Sequence, residues 1–157
     1  HYDFLKGRPF FPWLVDFMTA LPVVVGGLSA EDQTLEQLRY ELGETLVQKA
    51  RPGSLRERYG IYGGVNCLHL SDSPESGLRE LEIWSRAVDL GRREVRLDGS
   101  QGLPDHTFHL RSLAAQVAAG EHSELATLEI KRLLKEETGL EGEALAALQR
   151  VILGAFA

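Results

Sequence analysis

Apolar positions follow several local rhythms along the first 90 residues and a single one after them. In RPFFPWLVDFMTA, which begins at Arg8, Phe10, Leu14, Phe17 and Met18 fall at helical spacing, and Pro9 stands where a first turn tolerates it. PVVVGGL, from Pro22, is a β-branched run between turn residues and predicts a buried strand. Ser29 is placed to cap a helix over AEDQTLEQLRYEL, with Leu35, Leu38 and Leu42 on its apolar face and Gly43 at its end. Residues 44–60 are polar, carry Pro52, Gly53 and three arginines, and read as a functional loop with one helical turn. VNCLHLSD alternates as a strand does, which sets Cys67 and His69 on one face and Leu68 and Leu70 on the other. Ser73, Pro74 and Glu75 then open a helix lined by Leu78, Leu81, Trp84 and Val88.

Beyond about residue 90 the pattern changes. RREVRLDGSQGLPD has turn chemistry with one short strand, and everything after it is helical in period. Phe108 to Ala118, SELATLEIKRLLKEET and GEALAALQRVILGAF predict a helical hairpin or a three-helix appendage broken at Gly139 and Gly142. The expected organisation is a domain over 1–90, a linker over 91–104 and a separable helical extension over 105–157. Leu125, Leu128, Leu133, Leu145, Leu148 and Ile152 give that extension an apolar surface for the domain or for another subunit.

Composition narrows the function. With 43% hydrophobic and 25% charged residues the 157-residue chain reads as globular. A net charge of −6 excludes a general nucleic-acid binder, since no basic excess exists to neutralise a phosphate backbone. A single nucleotide needs only a few placed cations. Cys67 is the only cysteine, which excludes an internal disulfide and a thiolate metal cluster. No apolar run approaches the roughly 20 residues of a membrane span, and a cytoplasmic setting is expected. Asp105, His106 and His109 form D-H-x-x-H without a third ligand at clear spacing, and read as polar residues at a helix start.

Candidate chemistry centres on His69. A histidine on a segment that ends in Ser-Asp and leads into a capped helix suits a nucleophile or base, though a lone histidine is a weak signal. Arg39 and Arg56 supply guanidinium forks that match phosphate oxygens, and Thr45 and Asn66 supply a hydroxyl and an amide. Spacing alone leaves open that Arg51, Arg56 and Arg58 belong to a solvated loop.

Several linked motifs settle the choice by resemblance. LGET, then ARPGSLRERYG, then GGVNCLHLSDSPESGLRELEIW resembles the nucleoside-diphosphate kinase family, whose members carry LGxT, PGTIRGDF and GRNxxHGSDSxESAxREI at matching intervals. Upstream, HYDFLKGRPFFPWLVDFMTALPVVV is similar to the family's HYxxLKxRPFFxxLVxYMxSGPVV, so the likeness runs from residue 1 to about 84. The resemblance implies an α/β (α+β) fold, a ferredoxin-like antiparallel sheet with helices, here followed by the C-terminal helical extension. It implies transfer of a γ-phosphate from a nucleoside triphosphate to a nucleoside diphosphate, with Mg²⁺ carried on the nucleotide and no direct metal ligand. His69 falls on the phosphorylated histidine and Glu80 on the carboxylate that fixes its tautomer. Arg39, Thr45 and Arg56 fall on phosphate-holding positions and Asn66 on the residue near the sugar hydroxyl. Phe10 and Leu14 fall on base-stacking and lid positions, and Tyr2 and Ser71 on supporting ones.

The resemblance also implies a homo-oligomer; the helical tail departs from the family, and its apolar faces offer a protein partner a surface. The sequence departs from the family where Leu70 replaces the glycine of HGSD and Val65 replaces the arginine of GRN. The family's opening strand, commonly IKPDGV, falls before His1. It is expected upstream or from another chain; the alternative is a relative that keeps the scaffold as an assembly module without the reaction.

Overall fold

A computed structural model describes residues 1–91 and 104–156, and among these described residues there are seven α-helices. In order they are α1 (Phe11–Thr19), α2 (Asp32–Leu42), α3 (Leu55–Tyr59), α4 (Pro74–Ala87), α5 (Thr107–Ala119), α6 (Ser123–Thr138) and α7 (Gly142–Gly154), with 3-10 turns at Asp3–Leu5 and Val47–Lys49. Local chemistry explains several starts. The Ser73 hydroxyl accepts the Ser76 amide at 3.2 Å and Pro74 occupies the first turn of α4, where its missing N–H costs nothing. Asp105 accepts the Thr107 amide at 3.0 Å, so the D-H-x-x-H stretch opens α5 as a helix start. Two starts differ from expectation. Pro12 rather than Pro9 sits in the first turn of α1, and α2 begins after Glu31, two residues past Ser29.

The expected ferredoxin-like antiparallel sheet is absent among the described residues, and this corrects the fold class. Their only β pairing is an isolated antiparallel bridge between Tyr62 and Val65. PVVVGGL and VNCLHLSD are not helical, but neither joins a ladder. β-Branched residues favour extended backbone, yet a strand exists only when a second segment satisfies its N–H and C=O groups. Without that partner, Val24 and Leu28 stand 70% and 71% exposed rather than buried. The short strand expected between residues 92 and 103 lies outside the described residues.

The hydrophobic core sits in the C-terminal helices. Leu110, Leu113 and Ala114 of α5, Ala126, Ile130, Leu133 and Leu134 of α6, and Leu148 and Ile152 of α7 form one buried cluster. Gly120 and Gly139 close α5 and α6 in the left-handed conformation that glycine adopts without steric cost. The first half docks on this cluster at few points. Val65 is buried in it, and Trp13, stacked on Phe17, donates its indole N–H to the Val151 carbonyl at 2.8 Å.

A second clasp joins α5 to α3. Arg111 donates to the carbonyl of Gly60 from Nε at 3.2 Å and from Nη2 at 2.6 Å, donates to the Glu57 carbonyl, and pairs with the Glu57 carboxylate at 3.3 Å. A cation at a helix C-terminus satisfies carbonyls that have no partner within the helix. The short helix α3 is thereby held at one end by Arg111 and at the other by its cap, Ser54, whose hydroxyl accepts the Glu57 amide at 3.4 Å. Gly43, at φ +84°, leaves room for this: a Cβ there would lie 2.3 Å from the Ser54 hydroxyl.

Candidate active site

Between Ile61 and Asp72 the backbone has no regular structure, and two arginines hold it on either side of His69. Arg56, only 8% exposed, donates from Nε and Nη2 to the Leu68 carbonyl at 3.3 and 2.9 Å, and from Nη1 to the Gly43 carbonyl at 2.9 Å. Arg39 reaches the carbonyls of Leu70 and Ser71, both at 3.4 Å, and pairs with Asp72 at 2.8 Å. The carbonyls of the two residues that flank His69, Leu68 and Leu70, are therefore both held by charge-assisted bonds, which are stronger than neutral ones. Burial lowers the basicity of Arg56, and Arg39 nearby adds to the effect.

The imidazole itself is oriented from α4. Nε2 of His69 lies 2.8 Å from Oε2 of Glu80, and the Ser71 hydroxyl donates to the same oxygen at 2.7 Å. Burial pushes the Glu80 carboxyl up, but the hydrogen bonds from His69 and Ser71 outweigh it and leave the group below the usual glutamate value. An ionised carboxylate only accepts, so Nε2 carries the proton and Nδ1 keeps its lone pair. The Tyr2 hydroxyl is 3.4 Å from Nδ1. Burial, and then the negative charge of Glu80, raise the Tyr2 pKa, so the phenol stays protonated as a donor. His69 remains partly open to solvent while Glu80 is buried beneath it.

The remaining predicted residues divide. Thr45, Arg56 and Asn66 are brought together: Nη1 of Arg56 reaches the Thr45 hydroxyl at 3.5 Å, and the Asn66 amide donates to the Thr45 carbonyl at 2.9 Å. Phe10 and Leu14 are not brought into one pocket. Leu14 lines a hollow of about 260 Å³ with His1, Tyr2 and Met18, whereas Phe10 lines a cleft of about 470 Å³ with Trp13, Gly64 and Gly154. Cys67, expected beside His69, instead directs its thiol at the Leu55 carbonyl, 3.7 Å away.

Sequence reasoning missed His1. Its ring stands edge-on to His69 at 4.7 Å and its Nε2 lies 3.7 Å from Oε1 of Glu80. The available signal was its adjacency to Tyr2 in the HY pair, which assigns no contact.

The arrangement sets an imidazole, oriented through Nε2 by Glu80, among two arginines, a hydroxyl and an amide. Chemically, such donors can bind phosphoryl oxygens and an imidazole nitrogen with a lone pair can act as a nucleophile. A family model described as nucleoside diphosphate kinase matches residues 1–90. The nucleoside diphosphate kinase of Chloroflexus aurantiacus is 40% identical over 99 residues, covering 57% of this chain and 66% of the relative. That of Chloroflexus aggregans is 41% identical over 100 residues, covering 63% and 66%, and that of Streptococcus agalactiae 42% over 89 residues, covering 54% and 64%. The chain thus spans just under two thirds of the length of these curated relatives. No solved structure matches it.

Proposed function

Because the chain belongs to the nucleoside diphosphate kinase family, we propose that it moves a γ-phosphate between nucleotides through a phosphorylated His69. The observation that carries this reading is the Glu80–His69 contact at 2.8 Å, which leaves Nδ1 as the free nitrogen. In the first half-reaction the Nδ1 lone pair forms a bond to the γ-phosphorus. The bond to the β–γ bridging oxygen breaks, and the nucleoside diphosphate leaves with that electron pair. A second nucleoside diphosphate takes the phosphoryl group by the reverse step.

Glu80 accepts the hydrogen bond from the Nε2–H group throughout and stabilises the positive charge that develops on the ring, while Ser71 keeps the carboxylate in place. The Tyr2 hydroxyl, only loosely bonded to Nδ1 at 3.4 Å, turns to a phosphoryl oxygen when the nucleophile engages. Arg56, Thr45 and Arg39 neutralise and align the phosphate oxygens. Asn66 takes the sugar hydroxyl, and Phe10 and Leu14 contact the base. The guanidinium groups carry positive charge and no lone pair for a divalent cation. The set therefore suits Mg²⁺ carried on the nucleotide phosphates, where it would neutralise charge on the transferring group, and no side chain is assigned to hold it.

Residues 1–90 are the kinase-like part and residues 105–157 the helical part. The latter offers a surface for a second copy of the chain in a homo-oligomer or for another protein, and a cytoplasmic setting would supply free nucleotides. Among the described residues no helix is long and apolar enough to cross a membrane.

A specific observation favours a second reading, the assembly module without turnover. Arg39 and Arg56 already satisfy protein carbonyls, and Val65, in the place of a family arginine, is buried under the tail. Incubation of the full chain with labelled ATP and Mg²⁺ separates the two. The kinase reading expects an acid-labile, alkali-stable phosphate on the protein that His69→Ala abolishes. An unlabelled protein leaves the assembly module standing.

A further inference from the structure

His1, His69 and Glu80 each present a ligand atom to a common point, and no two of those atoms are farther apart than 4.8 Å. Nε2 of His69 lies 2.8 Å from one carboxylate oxygen of Glu80, and Nε2 of His1 lies 3.7 Å from the other. Ligands of a tetrahedral zinc site with bonds of about 2.0–2.1 Å stand roughly 3.3 Å apart, so small side-chain rotations bring one atom of each residue to that spacing. Two imidazoles and one carboxylate, with a fourth position left for water, make a donor set suited to Zn²⁺ and unsuited to Mg²⁺, which prefers oxygen alone.

From this geometry we infer that the protein binds one Zn²⁺ ion between His1, His69 and Glu80, and that this ion blocks His69 as a nucleophile. The site is new with respect to the phosphotransfer reading, and its inhibitory effect rests on that reading.

The surroundings are those of a built site. Glu80 is 9% exposed and already held as an acceptor by Ser71, which gives the carboxylate an outer partner that would persist with metal bound. Nδ1 of His1 is buried without a hydrogen-bond partner, so the ring is held by its packing against Tyr2 and His69 and not by a polar contact at that atom. The Tyr2 hydroxyl waits on the far side of the His69 ring.

The mechanism of inhibition follows from the tautomer. A metal on Nε2 of His69 needs that nitrogen's lone pair, so the ring proton moves to Nδ1. There it donates to the Tyr2 oxygen 3.4 Å away, and the nitrogen that would attack phosphorus no longer has a lone pair to attack with. The ion need not touch the nucleotide. It holds the imidazole in the wrong tautomer.

The test is a titration of the full chain with Zn²⁺ in excess Mg²⁺, followed by calorimetry, with Co²⁺ absorption as a second probe of the same ligands. We expect one ion per chain, a tetrahedral Co²⁺ spectrum that Zn²⁺ displaces, and at least about tenfold weaker binding in His1→Gln, the loss that removing even an outer-shell partner gives. Glu80→Gln should weaken binding likewise, which covers the case of a His1 variant that folds poorly. Phosphate labelling of the unsubstituted chain should fall with zinc occupancy, and whatever labelling His1→Gln retains should no longer fall when zinc is added. Equal zinc affinity in His1→Gln, or no binding at micromolar metal, overturns the site. The metal measurements need no phosphoryl transfer, so an unlabelled protein that binds zinc as described would sink the kinase reading and leave the metal site intact.

Discussion

Between Phe11 and Ala87 the helices bury almost no apolar side chains of their own, while α5 to α7 bury a leucine-rich cluster. No residue of α1 is buried, the buried residue of α3 is Arg56, and that of α4 is Glu80. In the C-terminal helices the largest fully buried side chains among the described residues are Leu110, Ile130 and Leu133. One region therefore encloses charge and the other encloses hydrocarbon. A buried charge is costly unless it is paired or hydrogen-bonded; Arg56 donates to the Leu68 and Gly43 carbonyls, and Glu80 accepts from His69 and Ser71. Apolar burial of about 1.5–3 kcal/mol per large side chain comes from the other region. The contrast teaches that the candidate site does not stabilise itself. It is fastened to a scaffold at Val65, Trp13 and Arg111.

The sharpest way to break this comparison is to remove the scaffold. Truncation after residue 104 takes away nearly all of the apolar cluster, and we expect loss of a cooperative thermal transition by circular dichroism. A fragment 1–104 that melts cooperatively and still labels on His69 would show the first region to be self-sufficient. Next in size, Leu133→Ala, at a fully buried position, should destabilise by about 2–5 kcal/mol, whereas Val24→Ala, 70% exposed, should stay within about 0.5 kcal/mol. Urea denaturation of both variants measures the ratio, and similar losses would mean that the first region has a core of its own.

Within the first region, Arg56→Ala should lower kcat/KM by an amount equivalent to about 2–4 kcal/mol, by analogy with other electrostatic stabilisers. Arg58→Ala should change it little, since Arg58 is exposed beside Tyr59. Equal effects would refute the assignment of Arg56. Smallest of the four, Arg111→Ala should cost about 1–3 kcal/mol of stability by freeing the carbonyls of Glu57 and Gly60. It should also raise KM for nucleotide more than it lowers kcat, which steady-state kinetics resolves.

Legibility in the sequence followed the range of the forces involved. The start of α4 was readable because Ser73, Pro74 and Glu75 act within one turn, and the ends of α2 and α6 because Gly43 and Gly139 act alone. The strands were misread because pairing is a property of two segments, and PVVVGGL contains only one of them. Ser29 failed as a cap for a related reason: several polar residues compete at that helix start, and their order does not rank them. At the site, the resemblance placed Glu80 beside His69 across 11 residues, and the two do meet. It did not foresee that Arg39 and Arg56 would bind the backbone around His69, nor the approach of His1. Both depend on side-chain directions that composition and spacing leave open. Val65 is instructive, because a lost family arginine reads as damage in the sequence and as a docking point in the structure.

The Arg111 clasp ties the amides of residues 55–60 to the fate of α5. A five-residue helix has too few internal hydrogen bonds to persist in water by itself, so α3 opens freely unless something outside it closes both ends. With Ser54 at the front and Arg111 at the back, opening α3 means first pulling a guanidinium away from α5's own packing. In hydrogen exchange the segment that carries Arg56 would then open only after that clasp breaks, and its amides would be protected beyond those of a surface loop. Removing one guanidinium on α5 would return them to the exchange of a free turn.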